Sequence, residues 1–186
     1  WSPSGGAFAF LSNRDNESFF QTDLYVYQLE DSSSTLIAKG VRTAASWQNS
    51  YTLIYSKLSE PNSKGSIYFD IYSYNLIDDK EVRLTNGSRL TSPIFIPNHN
   101  KIAAITNYDG TSNILISDID SIDFKQVTSY DDGTYIASIN NMSNKLVFDL
   151  IDNHGRDIYS LNLEDSTIDP VSLHGYDEQD PAKYKD

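Results

Sequence analysis

Asp23-Leu24-Tyr25-Val26-Tyr27-Gln28-Leu29 is the first of four related segments that decide the fold of this chain. Each segment begins with Asp or Asn and continues with aliphatic residues, joined in three of the four by tyrosine. The later copies are Asp70-Ile71-Tyr72-Ser73-Tyr74-Asn75-Leu76, Asn113-Ile114-Leu115-Ile116-Ser117-Asp118-Ile119 and Asp157-Ile158-Tyr159-Ser160-Leu161-Asn162-Leu163. Their first residues lie 43 to 47 positions apart. A repeat of this length, rich in Tyr, Ile and Val, is typical of a β-propeller, in which each repeat forms one small sheet.

Two further landmarks accompany each segment. A large apolar residue, followed by a polar turn and a short apolar run, precedes it, and the four apolar residues are Trp1, Trp47, Phe95 and Ile139. Turn formers between two β-prone runs predict a hairpin. A further β-prone run follows each segment, at residues 34–37, 82–85, 125–128 and 170–172. Since no segment has the apolar spacing of a helix, the sequence predicts an all-β propeller of four-stranded antiparallel blades.

The repeat divides the chain into four units of a single domain. We assign them to residues 1–41, 42–87, 88–128 and 129–172, and we interpret residues 173–186 as the first strand of a fifth unit. Propellers usually contain about four to eight blades. We therefore expect the chain to form part of a larger ring with further blades of the same protein, and a closed ring of four blades is the alternative.

Charge and composition exclude several classes of function. The chain carries 14 basic and 26 acidic residues, a formal net charge of −12, whereas nucleic-acid binding needs clustered Lys and Arg to neutralise phosphates. The chain contains no cysteine, which excludes a disulfide framework and a thiolate metal site. No apolar run approaches the roughly 18 residues of a membrane-spanning helix. We expect neither a nucleic-acid partner nor a membrane span.

Catalytic signatures are absent from the sequence. The string nearest to a Gly-x-Ser-x-Gly nucleophile elbow, Asn86-Gly87-Ser88-Arg89, lacks the second glycine. The sequence contains neither a glycine-rich phosphate loop nor a His-Glu-x-x-His motif. We therefore predict a non-catalytic segment that uses no cofactor and no metal.

Residues that recur at one repeat position are explained more readily by structure than by chemistry. Buried aromatic residues dominate the packing of small sheets, so we expect the landmark residues to pack between blades. A carboxylate at the start of a strand commonly accepts hydrogen bonds from turn amides. We expect this structural role for Asp23, Asp70 and Asp157.

The first two units carry extra residues in one loop. From the apolar landmark to the next Asp or Asn, the chain advances 22 and 23 residues in these units but 18 in the last two. The extra residues fall within 15–22 and 59–69, and such insertions project from one face of a repeat protein, often the binding face. We predict protein-binding loops there, with five candidate contact residues: Phe19, Phe20, Glu60, Tyr68 and Phe69. The alternative is that these aromatic pairs lengthen their strands and pack on the blade edge.

The densest polar cluster of the sequence contains Asp152, His154 and Arg156. A general base or a metal ligand at His154 is one interpretation. However, His99 and His174 lie in other repeats without matching spacing, and Asn153-His154-Gly155 is typical of an ordinary hairpin turn. We favour the turn.

The landmarks resemble the WD40-like (PD40) repeat of the TolB family. Trp1-Ser2-Pro3-Ser4-Gly5-Gly6 is similar to the Trp-Ser-Pro-Asp-Gly turn of that repeat, and the Asp-Leu-Tyr-Val segment and Arg83-Leu84-Thr85 fit it too. The resemblance extends over nearly the whole chain and is weakest in the fourth unit, where Ile139 and Asn141 replace Trp and Pro.

The resemblance implies a non-catalytic scaffold that binds other proteins in the bacterial periplasm or another exported location. TolB itself engages the peptidoglycan-associated lipoprotein, so the expected partner is an envelope lipoprotein or a peptide. Similar repeats also form the substrate-gating propeller of prolyl-oligopeptidase-type (S9) serine peptidases, whose catalytic domain lies elsewhere in the chain. A sugar-binding or sugar-cleaving propeller, the third interpretation, requires clustered carboxylates around a central pocket, and the sequence indicates no such cluster.

Overall fold

The structure, a computed structural model, describes residues 1–18, 20–108, 110–131, 133–140, 144–152 and 155–170. Across these residues every regular element is a β-strand, apart from one 3-10 turn at Pro97–His99. The prediction of an all-β chain is confirmed.

The strands form four antiparallel sheets. The first contains β1 (Ala7–Ser12), β2 (Asp23–Gln28) and β3 (Ser33–Ala38). The second contains β4 (Ser46–Trp47), β5 (Thr52–Leu58), β6 (Phe69–Asn75) and β7 (Lys80–Arg83). The third contains β8 (Leu90–Ile96), β9 (Lys101–Thr106), β10 (Asn113–Asp118) and β11 (Lys125–Gln126). The fourth contains β12 (Thr134–Asn140), β13 (Lys145–Asp152), β14 (Gly155–Asn162) and β15 (Ile168–Pro170). In every sheet, strands that follow each other in sequence are neighbours.

The repeated segment supplies a central strand in each sheet because its side chains alternate between two faces. In β2, Leu24 and Val26 are buried in the core shared with the second sheet. Tyr25 stacks on Phe10 on the other face, with ring centroids 5.6 Å apart. The two-residue period thus lets one strand pack in both directions.

Three apolar cores join neighbouring sheets. Leu53 and Tyr55 of β5 belong to the core with the first sheet, whereas Ile54 of the same strand belongs to the core with the third. In the third core, Ala103 of β9 packs with Phe148 of β13. The first strands also meet, since β8 contacts both β4 and β12. The sheets are therefore arranged side by side with their first strands converging, as propeller blades are.

The first sheet differs from the prediction of four strands per unit. The described residues give it three strands, β1 to β3. In the second and third sheets the first strand contains the apolar landmark, Trp47 or Phe95. In the first unit that landmark is residue 1, so this strand has no counterpart among the described residues.

The expected burial of the landmark residues holds for Phe95 but not for Trp1. Phe95 is buried in the core between the second and third sheets, and Trp47 packs against the core of the first two. Trp1 is 74% exposed, and its ring lies 5.2 Å from that of Phe8. It lies on the outer face of the first sheet, against which no other described sheet packs.

The Asp or Asn at the start of the repeated segment accepts hydrogen bonds from the chain that leaves the sheet. Asp70 Oδ1 accepts hydrogen bonds from the Thr85 hydroxyl and the Ser88 N–H, both at 2.9 Å, and Oδ2 accepts from the Gly87 N–H at 3.0 Å. The Thr85 hydroxyl in turn accepts from the Ile71 N–H at 2.9 Å. This arrangement holds β7 and the following turn against the start of β6.

The third sheet repeats this arrangement with an amide. Asn113 Oδ1 accepts from the Thr128 hydroxyl at 3.0 Å and from the Tyr130 N–H at 2.9 Å. The Thr128 hydroxyl accepts from the Ile114 N–H at 2.8 Å. We call the Asp70–Thr85 and Asn113–Thr128 pairs the connection clasps.

The expected structural role of the recurring carboxylates holds in the first two units. In the first unit Asp23 accepts one bond, from the Gly40 N–H at 2.9 Å. Asp157 is exposed, and the turn that would match the clasps falls after residue 170, outside the described residues.

Candidate functional site

The two faces of the array carry loops of different length. Residues 13–22 join β1 to β2 and residues 59–68 join β5 to β6, whereas the shorter segment 107–112 joins β9 to β10. We call this side, which also carries the connections 39–45 and 84–89 between sheets, the long-loop face. The opposite side carries the turns 29–32, 76–79, 119–124 and 163–167, and we call it the short-turn face. The insertions expected from the sequence lie in corresponding hairpins of one face.

Hydrogen bonds brace the first long loop on the sheet beneath it. The Tyr25 hydroxyl donates to Asp15 at 2.6 Å, and this bond to a carboxylate raises the pKa of Tyr25. The Thr22 hydroxyl donates to the Val41 carbonyl at 2.5 Å. Between these anchors the Phe20 side chain is 85% exposed. A large aromatic ring exposed on a loop that hydrogen bonds brace at both ends is a candidate contact for a partner.

The second long loop is a braced hairpin of its own. The Ser59 N–H donates to the Tyr68 carbonyl at 2.8 Å, and the Asn62 side chain accepts from the Lys64 and Ser66 N–H groups at 2.9 and 3.0 Å. Glu60 is exposed and Tyr68 is half-buried. Phe69 is the first residue of β6. It therefore lengthens its strand, as in the alternative interpretation, and does not lie in the loop.

Two clefts open on the long-loop face. The first, of about 350 Å³, lies between the first long loop and the 39–45 connection, and its lining includes Phe20, Lys39, Arg42 and Leu58. The second, of about 480 Å³, is lined by residues of the second, third and fourth sheets: Arg42, Thr43, Phe69, Thr91, Ser92, Ile105, Asn107, Ser112 and Tyr135. Arg42 lines both clefts, so they adjoin at this residue.

The arginines of the chain lie on the long-loop face, which also carries the exposed carboxylates Asp15, Glu17 and Glu60. All five arginines of the sequence lie at or close to strand ends on the long-loop face: Arg14, Arg42, Arg83, Arg89 and Arg156. The short-turn face carries exposed carboxylates in its turns, among them Glu30, Asp31, Asp78, Asp79 and Glu164. Of the five guanidinium groups, that of Arg42 lines both clefts, where its positive charge attracts anionic groups.

Arg89 lies on the same face between two neighbouring units. Its guanidinium carbon is 5.0 Å from the ring centroid of Tyr68 and 5.4 Å from that of Tyr108, which is 72% exposed. Hydrogen bonding to Ser66 and to Arg89 lowers the pKa of the Tyr68 hydroxyl. The contact links the second long loop to the loop of the third sheet.

The polar cluster expected near the end of β13 is described only in part. The Asp152 side chain and His154 lie outside the described residues, as do Phe19 and the strand predicted within 173–186. Arg156 pairs with Asp149, a buried carboxylate of the same hairpin. This ion pair gives Arg156 a structural partner. The described residues contain no group of three His, Asp or Glu side chains able to hold a metal ion.

Sequence reasoning missed Arg42, Arg89 and Tyr108. None of them occupies a landmark position of the repeat, and their neighbours in space come from other units. One signal was available: the arginines fall next to the predicted loops of one face, whereas Lys80, Lys101 and Lys145 open strands at the other. The strand order is needed to show that these arginines lie on the same face.

Comparison with known proteins supports the architecture. No family model matches the chain, and no curated protein matches it. Solved structures do resemble it: a candidate TolB of Agrobacterium tumefaciens superposes with a TM-score of 0.75 at 18% identity, over 91% of this chain and 62% of the other. The fold is a β-propeller. The TolB of Acinetobacter baumannii matches with a TM-score of 0.72 at 16% identity, over 93% of this chain and 43% of that one.

A propeller attached to a protease is similar as well. The β-propeller domain of the Trilobed protease from Pyrococcus furiosus matches with a TM-score of 0.60 at 15% identity, over 91% of this chain and 54% of that domain. The chain thus spans less than two thirds of the length of these structures. No helix among the described residues is long and apolar enough to cross a membrane.

Proposed function

We propose that this propeller is a non-catalytic, TolB-like protein-interaction domain of the bacterial cell envelope that binds its partner through the long-loop face. The observation that carries the proposal is the joint presence there of two inserted loops, an exposed Phe20 and two adjoining clefts. Binding residues concentrate on loops positioned by a rigid scaffold. The exported location rests on the resemblance to TolB.

The structural basis for binding is preorganisation. The two long loops are fixed by hydrogen bonds to the sheet or within their own turn. An ordered loop loses little conformational freedom on association, so more of the contact energy remains as affinity. An exposed aromatic ring beside a cleft is the kind of residue that anchors an interface.

A quantitative co-purification experiment tests this proposal. The wild-type chain, Phe20→Ala and Ile77→Ala are used as baits in an extract of the cells that make the protein. Ile77 is the matched control, since its side chain is 69% exposed in a short-turn-face loop. We expect a partner that Phe20→Ala loses and Ile77→Ala retains, with both variants folded by circular dichroism. Equal retention by the two variants would contradict binding at the long-loop face.

The substrate-gating propeller of an S9-type peptidase is the second candidate. The structural similarity to the propeller domain of a protease favours it. In that case the long-loop face or its opposite would border a catalytic domain and filter peptides. Reading the gene on both sides of these 186 residues separates the candidates. A Gly-x-Ser-x-Gly elbow followed by Asp and His would support the peptidase, and further repeats without an elbow would support the scaffold.

A further inference from the structure

We propose that Arg42 and Arg89 make the long-loop face a binding site for an acidic segment of a partner protein. The inference rests on the proposed function, because it names the chemistry of the partner that this face binds. Four observations carry it: the contacts of Arg89, its backbone conformation, the missing carboxylate partners and the mixed lining of the first cleft.

Arg89 is positioned by aromatic rings. The Tyr68 and Tyr108 rings lie 5.0 and 5.4 Å from its guanidinium carbon. The guanidinium lies near both rings and interacts with the Tyr68 hydroxyl, and its remaining N–H groups can form the fork that matches a carboxylate in geometry. Phe69, adjacent to Tyr68, and Asn107, adjacent to Tyr108, line the second cleft. Arg89 does not itself line that cleft, but residues adjacent in sequence to both of its ring partners do.

The backbone of Arg89 has a conformation that usually calls for glycine. Arg89 directly precedes Leu90, which pairs with β9, and Gly40 directly precedes Val41, which bridges to β5. The two positions are equivalent, and their φ angles are 55° and 70°. Glycine adopts this left-handed region freely, whereas other residues rarely do. The other non-glycine residues with positive φ among the described residues are the short polar Ser, Asp and Asn, so a long arginine side chain at this position points to a role of its own.

Arg42 and Arg89 have no carboxylate within 4.0 Å in the part of the chain that the structure describes. The other three arginines do have one: Arg14 has Asp15, Arg83 has Asp70 and Arg156 has Asp149. The chain contains 26 acidic residues, so carboxylates are not scarce. Arg42 and Arg89 are exposed. They provide positive charge for an external anion.

The lining of the first cleft favours a peptide ligand over a nucleic acid. In the first cleft Arg42 and Lys39 share the lining with Phe20 and Leu58, so the cleft offers both charge and apolar surface. A cleft of about 350 Å³ has room for a few side chains. A nucleic acid needs clustered Lys and Arg along its phosphate backbone, and this cleft offers only Lys39 and Arg42. Alternating acidic and apolar side chains complement this lining.

A random peptide library displayed on phage tests the proposal, since the selection itself supplies the ligand. The folded 186-residue chain is the bait, and the selected peptides are synthesised and titrated by fluorescence anisotropy. The variants are Arg42→Gln, Arg89→Gln, Arg89→Lys, Phe20→Ala and the control Lys80→Gln, which removes a positive charge from an exposed residue at the short-turn face. Circular dichroism checks that each variant is folded.

We expect selected peptides rich in Asp or Glu together with an aromatic or aliphatic residue. Their binding should weaken about tenfold in Arg42→Gln and in Arg89→Gln, weaken measurably in Arg89→Lys because the fork is lost, and remain unchanged in Lys80→Gln. Affinity should also fall as salt is raised from about 50 to about 300 mM, since exposed charges are screened. These three results together support the inference.

Two other outcomes overturn it and separate it from the proposed function. Peptides without acidic enrichment, whose binding depends on Phe20 but not on either arginine, would refute the acidic partner and leave the long-loop face as a docking surface. Peptides whose binding is unaffected by Phe20→Ala, Arg42→Gln and Arg89→Gln would refute both.

Discussion

Asp70→Asn is the substitution that tests the connection clasps most sharply. The side chain of Asp70 is fully buried, and its two oxygens face donors only. Oδ2 accepts from the Gly87 N–H at 3.0 Å and from the Arg83 guanidinium at 2.5 Å. An asparagine that keeps Oδ1 on Thr85 would turn its NH₂ group towards these two donors. Both donors would then lose their acceptor.

The magnitude follows from those two bonds. A buried N–H left without an acceptor costs about 1–3 kcal/mol, and the part-buried Gly87 N–H should fall towards the lower end of this range. The Arg83 side chain is 36% exposed, so water can partly replace the lost carboxylate. Loss of the ion pair between Arg83 and Asp70 therefore costs at most about 1 kcal/mol. We therefore expect Asp70→Asn to lower the free energy of unfolding by about 1–4 kcal/mol at pH 7. The control is Asp78→Asn, an exposed carboxylate of the short-turn face, which should change it by less than about 0.5 kcal/mol.

The effect should depend on pH with a definite sign. Burial alone would raise the pKa of Asp70, but the hydrogen bonds from Ser88, Gly87 and Arg83 outweigh burial and lower the pKa. A carboxyl with a lowered pKa in the folded state stabilises the protein above its unfolded pKa of about 3.9, and this contribution is lost as pH falls through the folded value. The difference between wild type and Asp70→Asn should thus shrink below about pH 4.

Urea unfolding followed by tryptophan fluorescence measures these differences. Trp47 pairs with Leu53 at the edge between the first two sheets, where its emission reports their separation. The reasoning is refuted if Asp70→Asn is as stable as Asp78→Asn at pH 7. A large difference that persists unchanged at about pH 3 would refute the assignment to the ionised carboxylate.

Three further substitutions probe other parts of the structure by the same unfolding measurement. Thr128→Val removes the hydroxyl that accepts from the Ile114 N–H and should lower the free energy of unfolding by about 1–3 kcal/mol. Thr128→Ser keeps the hydroxyl and should lower it clearly less. Equal losses in the two variants would argue against the clasp. Leu146→Ala removes a fully buried side chain from the core between the third and fourth sheets and should cost about 2–5 kcal/mol; a loss below about 1 kcal/mol would mean that the space is refilled. Phe20→Ala should change stability by less than about 0.5 kcal/mol, because the ring is 85% exposed, and a larger loss would favour packing over recognition.

The sequence was sufficient for the β-propeller because its information is local and repeated. The period of the Asp-Leu-Tyr segments gives the number of sheets, and two-residue alternation gives the two buried faces of strands such as β2. The structural role of Asp70 also followed from its recurrence, and its partners Gly87 and Ser88 lie in the next turn.

The surface features could not be predicted from the sequence, because residues from different units form them. The contact of Arg89 with Tyr68 and Tyr108 joins residues that no repeat position relates. The exposure of Trp1 depends on what packs against the outer face of the first sheet, and the repeat pattern carries no information on that. Sequence periodicity determines strands and cores, whereas the charge of a face emerges only when loops from several units are brought together.

Site-specific photo-crosslinking tests the central claim, that partners bind the long-loop face, most directly. A benzophenone amino acid is placed at position 20 in one variant and at position 77 in another, two exposed apolar positions on opposite faces. After irradiation in an extract of the cells that make the protein, we predict a discrete crosslinked product at position 20 that Arg42→Gln diminishes, and none at position 77. Crosslinking that is equal at both positions, or confined to position 77, would contradict the account.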